Sequence, residues 1–182
     1  VLAYATPGSP GAPHLNKVVA KLEAGQPVTG IWCLSRSPAN ARSLVEYNGF
    51  PNAEEAITQP MIDFLVVAME HYPYDISELR AFSNGLVSRR EALAKGNLQP
   101  NLAWFVRIPA EGSQPVHAQI KQVLDIGAHG VVVPFVRTAE EARAIVQACR
   151  YVRPEGDPLS EPPGTPRVSP LLATDHPGVP VA

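Results

Sequence analysis

The chain has 182 residues, of which 45% are hydrophobic and 18% are charged, and its formal net charge at pH 7 is -2. This composition is typical of a folded globular protein and argues against disorder throughout. A pI near 6.2 without a basic stripe argues against a nucleic-acid partner. The sequence has neither the roughly 18-residue apolar run of a membrane span nor a secretion signal, so we expect no membrane partner and a cytoplasmic location.

Composition divides the chain into three parts. Residues 1–13 contain three prolines and two glycines, which predicts a flexible N-terminal arm. Eight prolines and three glycines fall within residues 154–182, where no periodic apolar pattern occurs, and this predicts a disordered tail. The folded part is therefore expected to span residues 14–153.

A helix and a first strand–helix unit are predicted near the N-terminus. Apolar residues recur at helical spacing in residues 15–24, and Gly25 ends that helix. Residues 29–34 are rich in β-prone side chains and predict a strand. Ser37 followed by Pro38 is typical of an N-cap and a first helical position, so this strand leads directly into a helix.

The segment 63–75 predicts a buried strand followed by a polar loop. Its apolar run is followed by Glu70 and His71, and a helical pattern begins at Ile76. Polar side chains at this place indicate a site, because ligands of parallel α/β proteins bind beyond the carboxyl ends of the strands. The polar stretch 88–99 after the helix predicts a solvated turn.

Two further strand–helix units follow in the same pattern. Residues 101–109 predict a third strand with Arg107 near its exit, and residues 116–127 predict a helix. Residues 129–136 predict a fourth strand. A capping box at residues 138–141 opens the last helix, so four βα units are predicted.

Four consecutive βα units fit two α/β architectures, an open doubly wound sheet or part of a (β/α) barrel, and periodicity does not choose between them. An open sheet that binds nucleotides usually has a glycine-rich turn after its first strand. Residues 34–38 contain no glycine, which favours the barrel.

Seven side chains are expected to share the rim formed by the carboxyl ends of the strands. A histidine beside a carboxylate can act as a base near neutral pH, and an arginine can stabilise a developing oxyanion. Together these groups suit enolate chemistry. The alternative is that Glu70 and His71 only hold a loop and that Arg107 pairs with a structural acid. The expected rim residues are Trp32, Arg36, Glu70, His71, Arg107, Phe135 and Arg137.

Several motifs, in this order along residues 15–152, carry a resemblance to a known family. The motifs are Glu70-His71, Val106-Arg107-Ile108-Pro109, the long block from Val123 to Pro134, the segment from Thr138 to Arg143, and Arg150-Tyr151. They resemble the HpcH/HpaI aldolase/citrate lyase family, the metal-dependent class II pyruvate aldolases of the phosphoenolpyruvate/pyruvate superfamily. The block around the fourth strand is the most specific of them.

The resemblance implies a (β/α)8 TIM barrel that forms or cleaves a carbon–carbon bond next to a pyruvate enolate. It implies that His71 is the catalytic acid and base and that Arg107 stabilises the enolate. Trp32, Glu70 and Phe135 are expected to bind substrate. The implied partners are a divalent metal, Mg or Mn, a pyruvate-like 2-oxo acid and an aldehyde.

Two departures from the family pattern are visible. Many members have an acid three positions before the histidine, where this chain has Ala68. The family takes a glutamate and an aspartate as metal ligands from its fifth and sixth strands, whereas the residues after Arg153 form the proline-rich tail. We therefore expect about the first four βα units of a truncated barrel, without metal ligands, in a homo-oligomer. The alternatives are an inactive remnant that serves as an oligomeric or binding module, and an unrelated open α/β binding domain.

Overall fold

The structure is a computed structural model that describes residues 15–48, 60–109 and 116–150. The predicted arm, residues 1–13, and the predicted tail, residues 154–182, lie outside the described residues. No helix in the described ranges is long and apolar enough to cross a membrane. In chain order the elements are α1 (Lys17–Glu23), β1 (Gly30–Cys33), α2 (Pro38–Tyr47), β2 (Phe64–Ala68), α3 (Ile76–Gly85), α4 (Arg89–Lys95), β3 (Ala103–Arg107), α5 (His117–Asp125), β4 (Gly130–Val132) and α6 (Ala139–Cys149).

The four strands form one parallel sheet in the order β1-β2-β3-β4. Parallel pairing of consecutive strands requires a crossover after each strand, and helices of the chain supply these crossovers. The register places Trp32 beside Val66 and Ala68 beside Arg107. The carboxyl ends of all four strands therefore lie along one edge, as the sequence predicts.

Helices α2, α3, α5 and α6 contribute to a hydrophobic core that lies on one face of this sheet. Alternate strand residues point to this face because the side-chain period of a strand is two. Each fully buried aliphatic or aromatic side chain contributes about 1.5–3 kcal/mol to folding. The core joins the strand residues Leu65, Val67, Trp104 and Val106 to the helix residues Ala41, Val45, Leu79, Phe82, Ile120 and Val123.

The opposite face of the sheet carries aromatic rings that lie over glycines of neighbouring strands. The Phe64 ring occupies the space where a Cβ of Gly30 would stand, and a Cβ on Gly130 would lie 2.7 Å from the Phe105 ring. The two phenylalanine rings meet edge to face, with 5.7 Å between their centroids. The Arg107 side chain lies on the same face, at the carboxyl end of β3 and two residues beyond Phe105.

The two helix starts for which the sequence predicts a cap are confirmed. The Ser37 hydroxyl accepts a hydrogen bond from Asn40 N at 3.1 Å, with Pro38 in the first turn. The predicted capping box is present, because Thr138 and Glu141 each bond the other's backbone N–H. These local contacts satisfy amides that a helix leaves without partners.

The predicted solvated turn at residues 88–99 is wrong, because it contains helix α4. The Ser88 hydroxyl caps the helix by accepting from Glu91 N at 3.1 Å. Glu91 is buried, and its Oε1 accepts from Lys95 Nζ at 3.1 Å and from Asn101 N at 2.6 Å. Two of the charges that suggested a solvated turn therefore join the helix to the start of β3.

Asp63 fastens α1 to the amino-terminal end of the sheet. Its carboxylate lies 2.6 Å from Lys17 Nζ and 2.7 Å from Lys21 Nζ, and it accepts from Thr29 N at 2.9 Å. Burial opposes ionisation, but these donors outweigh it, so the pKa of the Asp63 carboxyl is lowered. The ion pairs hold this end of the sheet, opposite to the predicted site.

Candidate active site

One carboxylate oxygen lies between the two residues predicted to carry the chemistry. Glu70 Oε2 is 3.4 Å from His71 Nε2 and forms an ion pair with Arg107 Nη2. The Glu70 side chain is 12% exposed, whereas that of His71 is 72% exposed. The imidazole and the guanidinium therefore lie at one rim of the sheet, as predicted.

Strand pairing explains why these groups meet. Ala68 and Arg107 are register partners in β2 and β3, and Met69 N donates to Arg107 O at 2.9 Å beyond them. Glu70 therefore follows β2 directly, at the level where Arg107 leaves β3. A parallel register keeps both residues at the same edge of the sheet.

The ion pair between Glu70 and Arg107 leaves two buried atoms of these side chains without a hydrogen bond. Oε2 of Glu70 and Nε of Arg107 are both buried and make no hydrogen bond within the described residues. Buried polar atoms of proteins are normally satisfied, and leaving one unpaired costs about 1–3 kcal/mol. The Arg107 side chain as a whole is 26% exposed, so the accessible part of its guanidinium, and not the buried Nε, can approach an oxygen of a ligand.

Trp32 lies beside this group, on the same sheet face. The Arg107 Cζ atom is 5.8 Å from the centroid of the Trp32 ring. This distance is within the range of a cation–π interaction. Trp32 is 55% exposed, so it is a wall of the rim and not a core residue.

Arg36, one of the expected rim residues, is buried. Its Nε and Nη2 lie 2.7 and 2.6 Å from Glu78 Oε2, and Nη1 lies 3.4 Å from Met69 Sδ. Its Cζ atom is 5.6 Å from the centroid of the Tyr72 ring. Arg36 thus connects the loop after β1 with the start of α3 and with the loop that carries His71.

Phe135 and Arg137 follow β4 but do not join the cluster. Phe135 is 58% exposed and has a φ of 59°, which is rare for a bulky residue. The backbone N–H of Arg137 donates to Glu141 Oε2 at 2.6 Å. No ion pair, hydrogen bond or ring contact connects either side chain to Glu70 or Arg107 in the described part of the chain. The predicted substrate contact of Phe135 stays a prediction.

A groove of about 430 Å³ lies near the amino-terminal ends of the strands, away from the rim. His129 lines it and accepts a hydrogen bond at Nδ1 from Trp104 N at 3.3 Å. Burial lowers the pKa of His129 to about 4, so the ring is neutral at pH 7. His129 therefore lies outside the candidate site.

The sequence profile of the HpcH/HpaI aldolase/citrate lyase family matches residues 50–157. The chain belongs to this family. The match begins before β2 and includes Glu70, His71 and Arg107, so the residues that form the cluster lie within the matched part.

Curated aldolases from Escherichia coli are among the relatives of this HpcH/HpaI family chain. The 2-keto-3-deoxy-L-rhamnonate aldolase of strain K12 is 33% identical over 136 residues, and that of O157:H7 is 32% identical over the same length. Each alignment covers 75% of this chain and 40% of the relative. The chain thus spans about two fifths of the length of the curated relatives it matches.

A solved structure decides between the two architectures. The HpcH/HpaI aldolase from Desulfitobacterium hafniense superposes with a TM-score of 0.57 at 26% identity, covering 91% of this chain and 49% of the other. The family neighbours are TIM-barrel-type aldolases, so the four βα units form part of a barrel. An open α/β domain unrelated to aldolases is excluded.

HpcH/HpaI aldolases generally depend on a divalent metal. Across residues 15–48, 60–109 and 116–150, no three His, Cys, Asp or Glu side chains come together as a metal site. Glu70 Oε2, the acidic atom nearest to the predicted catalytic groups, is already approached by Arg107 and His71. The described residues therefore do not fit a complete divalent-metal site, which requires several oxygen or nitrogen ligands.

Proposed function

We propose that this chain carries the proton-transfer and oxyanion-binding groups of an aldolase, a carbon–carbon lyase that acts next to the enolate of a pyruvate-like 2-oxo acid. The observation that carries the proposal is the cluster of Glu70, His71 and Arg107 at the exits of β2 and β3. The family membership supports the same reaction class. The aldolase relatives are longer, since the alignment with this chain covers only 40% of the relative.

His71 is proposed to move the proton. Its imidazole is exposed to an incoming substrate, and its Nε2 lies 3.4 Å from Oε2 of the Glu70 carboxylate. A positioned general acid or base contributes about 10²–10⁴-fold to a rate. In the cleavage direction His71 takes a proton from the hydroxyl next to the breaking bond, and the electron pair of that bond passes to the 2-oxo acid as an enolate.

Arg107 is proposed to bind the oxygen on which the negative charge develops. A fixed guanidinium stabilises such an oxyanion without having to reorganise during the reaction. The Arg107 side chain is 26% exposed at the rim, so its guanidinium can donate to the keto oxygen of the substrate. Trp32 and Phe135 are proposed to line the substrate, and Glu70 completes the binding rim.

The remaining components are proposed from the family. They are a Mg or Mn ion held by residues other than the described ones, an aldehyde as the second substrate, a homo-oligomeric assembly and a cytoplasmic location. The roles of His71 and Arg107 stated above depend on none of these components, since both follow from their position at the rim.

Exchange of pyruvate methyl protons with deuterium tests the proposal. We expect the protein, assayed by NMR with added Mg²⁺ or Mn²⁺, to catalyse this exchange. His71→Ala and Arg107→Met should each lower the rate by about 100-fold or more. His117→Ala is a matched control, because His117 is an exposed residue of α5.

Exchange that continues at the wild-type rate in His71→Ala would contradict the assignment. If the wild-type chain neither exchanges nor binds pyruvate, the result favours the alternative of an inactive module. Both outcomes are read from the same titration, because binding is followed by line broadening of the pyruvate methyl signal.

A further inference from the structure

Glu70 contacts both predicted catalytic groups through a single atom. Its Oε2 is 3.4 Å from His71 Nε2 and is ion-paired with Arg107 Nη2. We propose that Glu70 is a positioning residue that fixes the distance between the imidazole and the guanidinium, so that both reach one substrate molecule. The catalytic meaning of this position rests on the proposed function, whereas the position itself does not.

The His71 ring depends on this contact for its orientation. The side chain is 72% exposed, and no other ion pair or hydrogen bond to the ring occurs among residues 15–48, 60–109 and 116–150. An exposed imidazole without a partner samples several rotamers. A charged neighbour selects the rotamers that bring Nε2 to the carboxylate, and Glu70 is that neighbour.

The carboxylate that contacts Arg107 belongs to a residue after β2, because β2 itself contains no acidic residue. Ala68 is the register partner of Arg107, and residues in register point to the same sheet face. Its methyl group cannot accept a hydrogen bond or carry a charge. The acid that holds the guanidinium therefore comes from Glu70, two residues later, where the chain has left β2.

The ion pair with Glu70 also fixes the orientation of the Arg107 guanidinium. The Nη2 group faces Glu70, whereas Nε is buried without an acceptor in the described part of the molecule. Since a guanidinium offers five N–H donors in a rigid plane, fixing one donor fixes the others. Glu70 thereby sets the direction in which the exposed part of the guanidinium can donate to a substrate oxygen.

Side-chain NMR of the full chain at one fixed pH tests the positioning role. Glu70→Gln keeps the size of the side chain but removes its charge. We expect it to shift the ring signals of His71 and the Nε–H signal of Arg107 together, and Glu70→Asp to restore both in part. Glu46→Gln, an exposed change on α2, is the control and should shift neither signal.

A shift of the Arg107 signal alone, or of neither signal, would overturn the proposal. If Glu70→Gln does not fold, Arg107→Met provides the second measurement. Removing the guanidinium releases Glu70, so the His71 ring signals must change even though no ion pair or hydrogen bond connects His71 to Arg107. Unchanged ring signals in Arg107→Met would also refute the proposal.

Kinetics separates this proposal from the proposed function. Where the wild-type protein exchanges pyruvate protons, Glu70→Gln should lower kcat about 10-fold or more and change KM much less, because it misplaces groups that act in the transition state. If the expected NMR shifts occur but neither the wild-type protein nor any variant exchanges pyruvate protons, the positioning role is supported and the enolate chemistry is rejected. Wild-type kcat in Glu70→Gln would reject the positioning role alone.

Discussion

The guanidinium of Arg107 lies 5.8 Å from the indole centroid of Trp32, although the strands that carry them are not neighbours. Strand β2 runs between β1 and β3, and Ala68 is the register partner of Arg107 on it. The Arg107 side chain therefore crosses β2 between Ala68, its own register partner, and Val66, the register partner of Trp32. This relationship makes the size of residue 68 a determinant of the rim.

A larger side chain at position 68 should separate Arg107 from Trp32. Ala68 is 5% exposed, and overpacking such a position costs about 1–3 kcal/mol of unfolding free energy. We expect Ala68→Leu to show this loss in urea denaturation and to change the Trp32 emission, measured in a Trp104→Phe background. Ala39→Leu, at an exposed position of α2, should change neither. An unaltered emission in Ala68→Leu would contradict the crossing.

Helices α2 and α3 approach so closely at Gly85 that a methyl group does not fit. A Cβ there would lie 2.7 Å from Ala41 Cβ and 2.7 Å from Pro38 O. We expect Gly85→Ala to destabilise the protein by about 1–3 kcal/mol, despite the better helix propensity of alanine. Chemical denaturation of Asn84→Ala, at the exposed neighbouring position, gives the matched control and should show no loss. Stabilisation by Gly85→Ala would mean that the two helices can separate freely.

The neutral state of His129 should make stability depend on pH. Its pKa is lowered by burial from the ordinary 6.5 to about 4, so between these values the unfolded chain binds a proton that the native protein does not. Stability then falls as the pH drops from 6.5 towards 4, by roughly 3 kcal/mol at the end of this window. We expect His129→Gln to flatten the curve of unfolding free energy against pH. A slope in His129→Gln similar to that of the wild-type protein would assign the effect to other groups.

The ion pair between Arg36 and Glu78 should stabilise the loop that bears His71. Removing the carboxylate leaves a buried guanidinium without its charged partner, which is more costly than losing an exposed pair. We expect Glu78→Gln to lower the free energy of unfolding by about 1–2 kcal/mol, since Glu78 is itself partly exposed. Faster amide exchange at Tyr72 should accompany it. Glu46→Gln is the control, and equal stability of the two variants would refute the structural role of the pair.

The sequence by itself determined the order of the described elements other than helix α4, and it placed His71 and Arg107 at one rim. Strand periodicity and helix caps act between residues a few positions apart, so they are readable from the chain. Parallel strands then bring their exits to one edge whatever the details of packing. This is why the convergence of His71 and Arg107 was predictable without coordinates.

Tertiary structure alone decided the other features. Arg36 is buried because Glu78, 42 positions away, meets it, and no local pattern distinguishes that arginine from an exposed one. The same holds for Glu91 in α4, whose burial depends on Asn101 at the start of β3. The reach of Arg107 across Ala68 to Trp32, and its shared carboxylate at Glu70, depend on strand register, which periodicity does not specify. Local sequence selects the elements, whereas burial and long-range pairing select the environment of each charge.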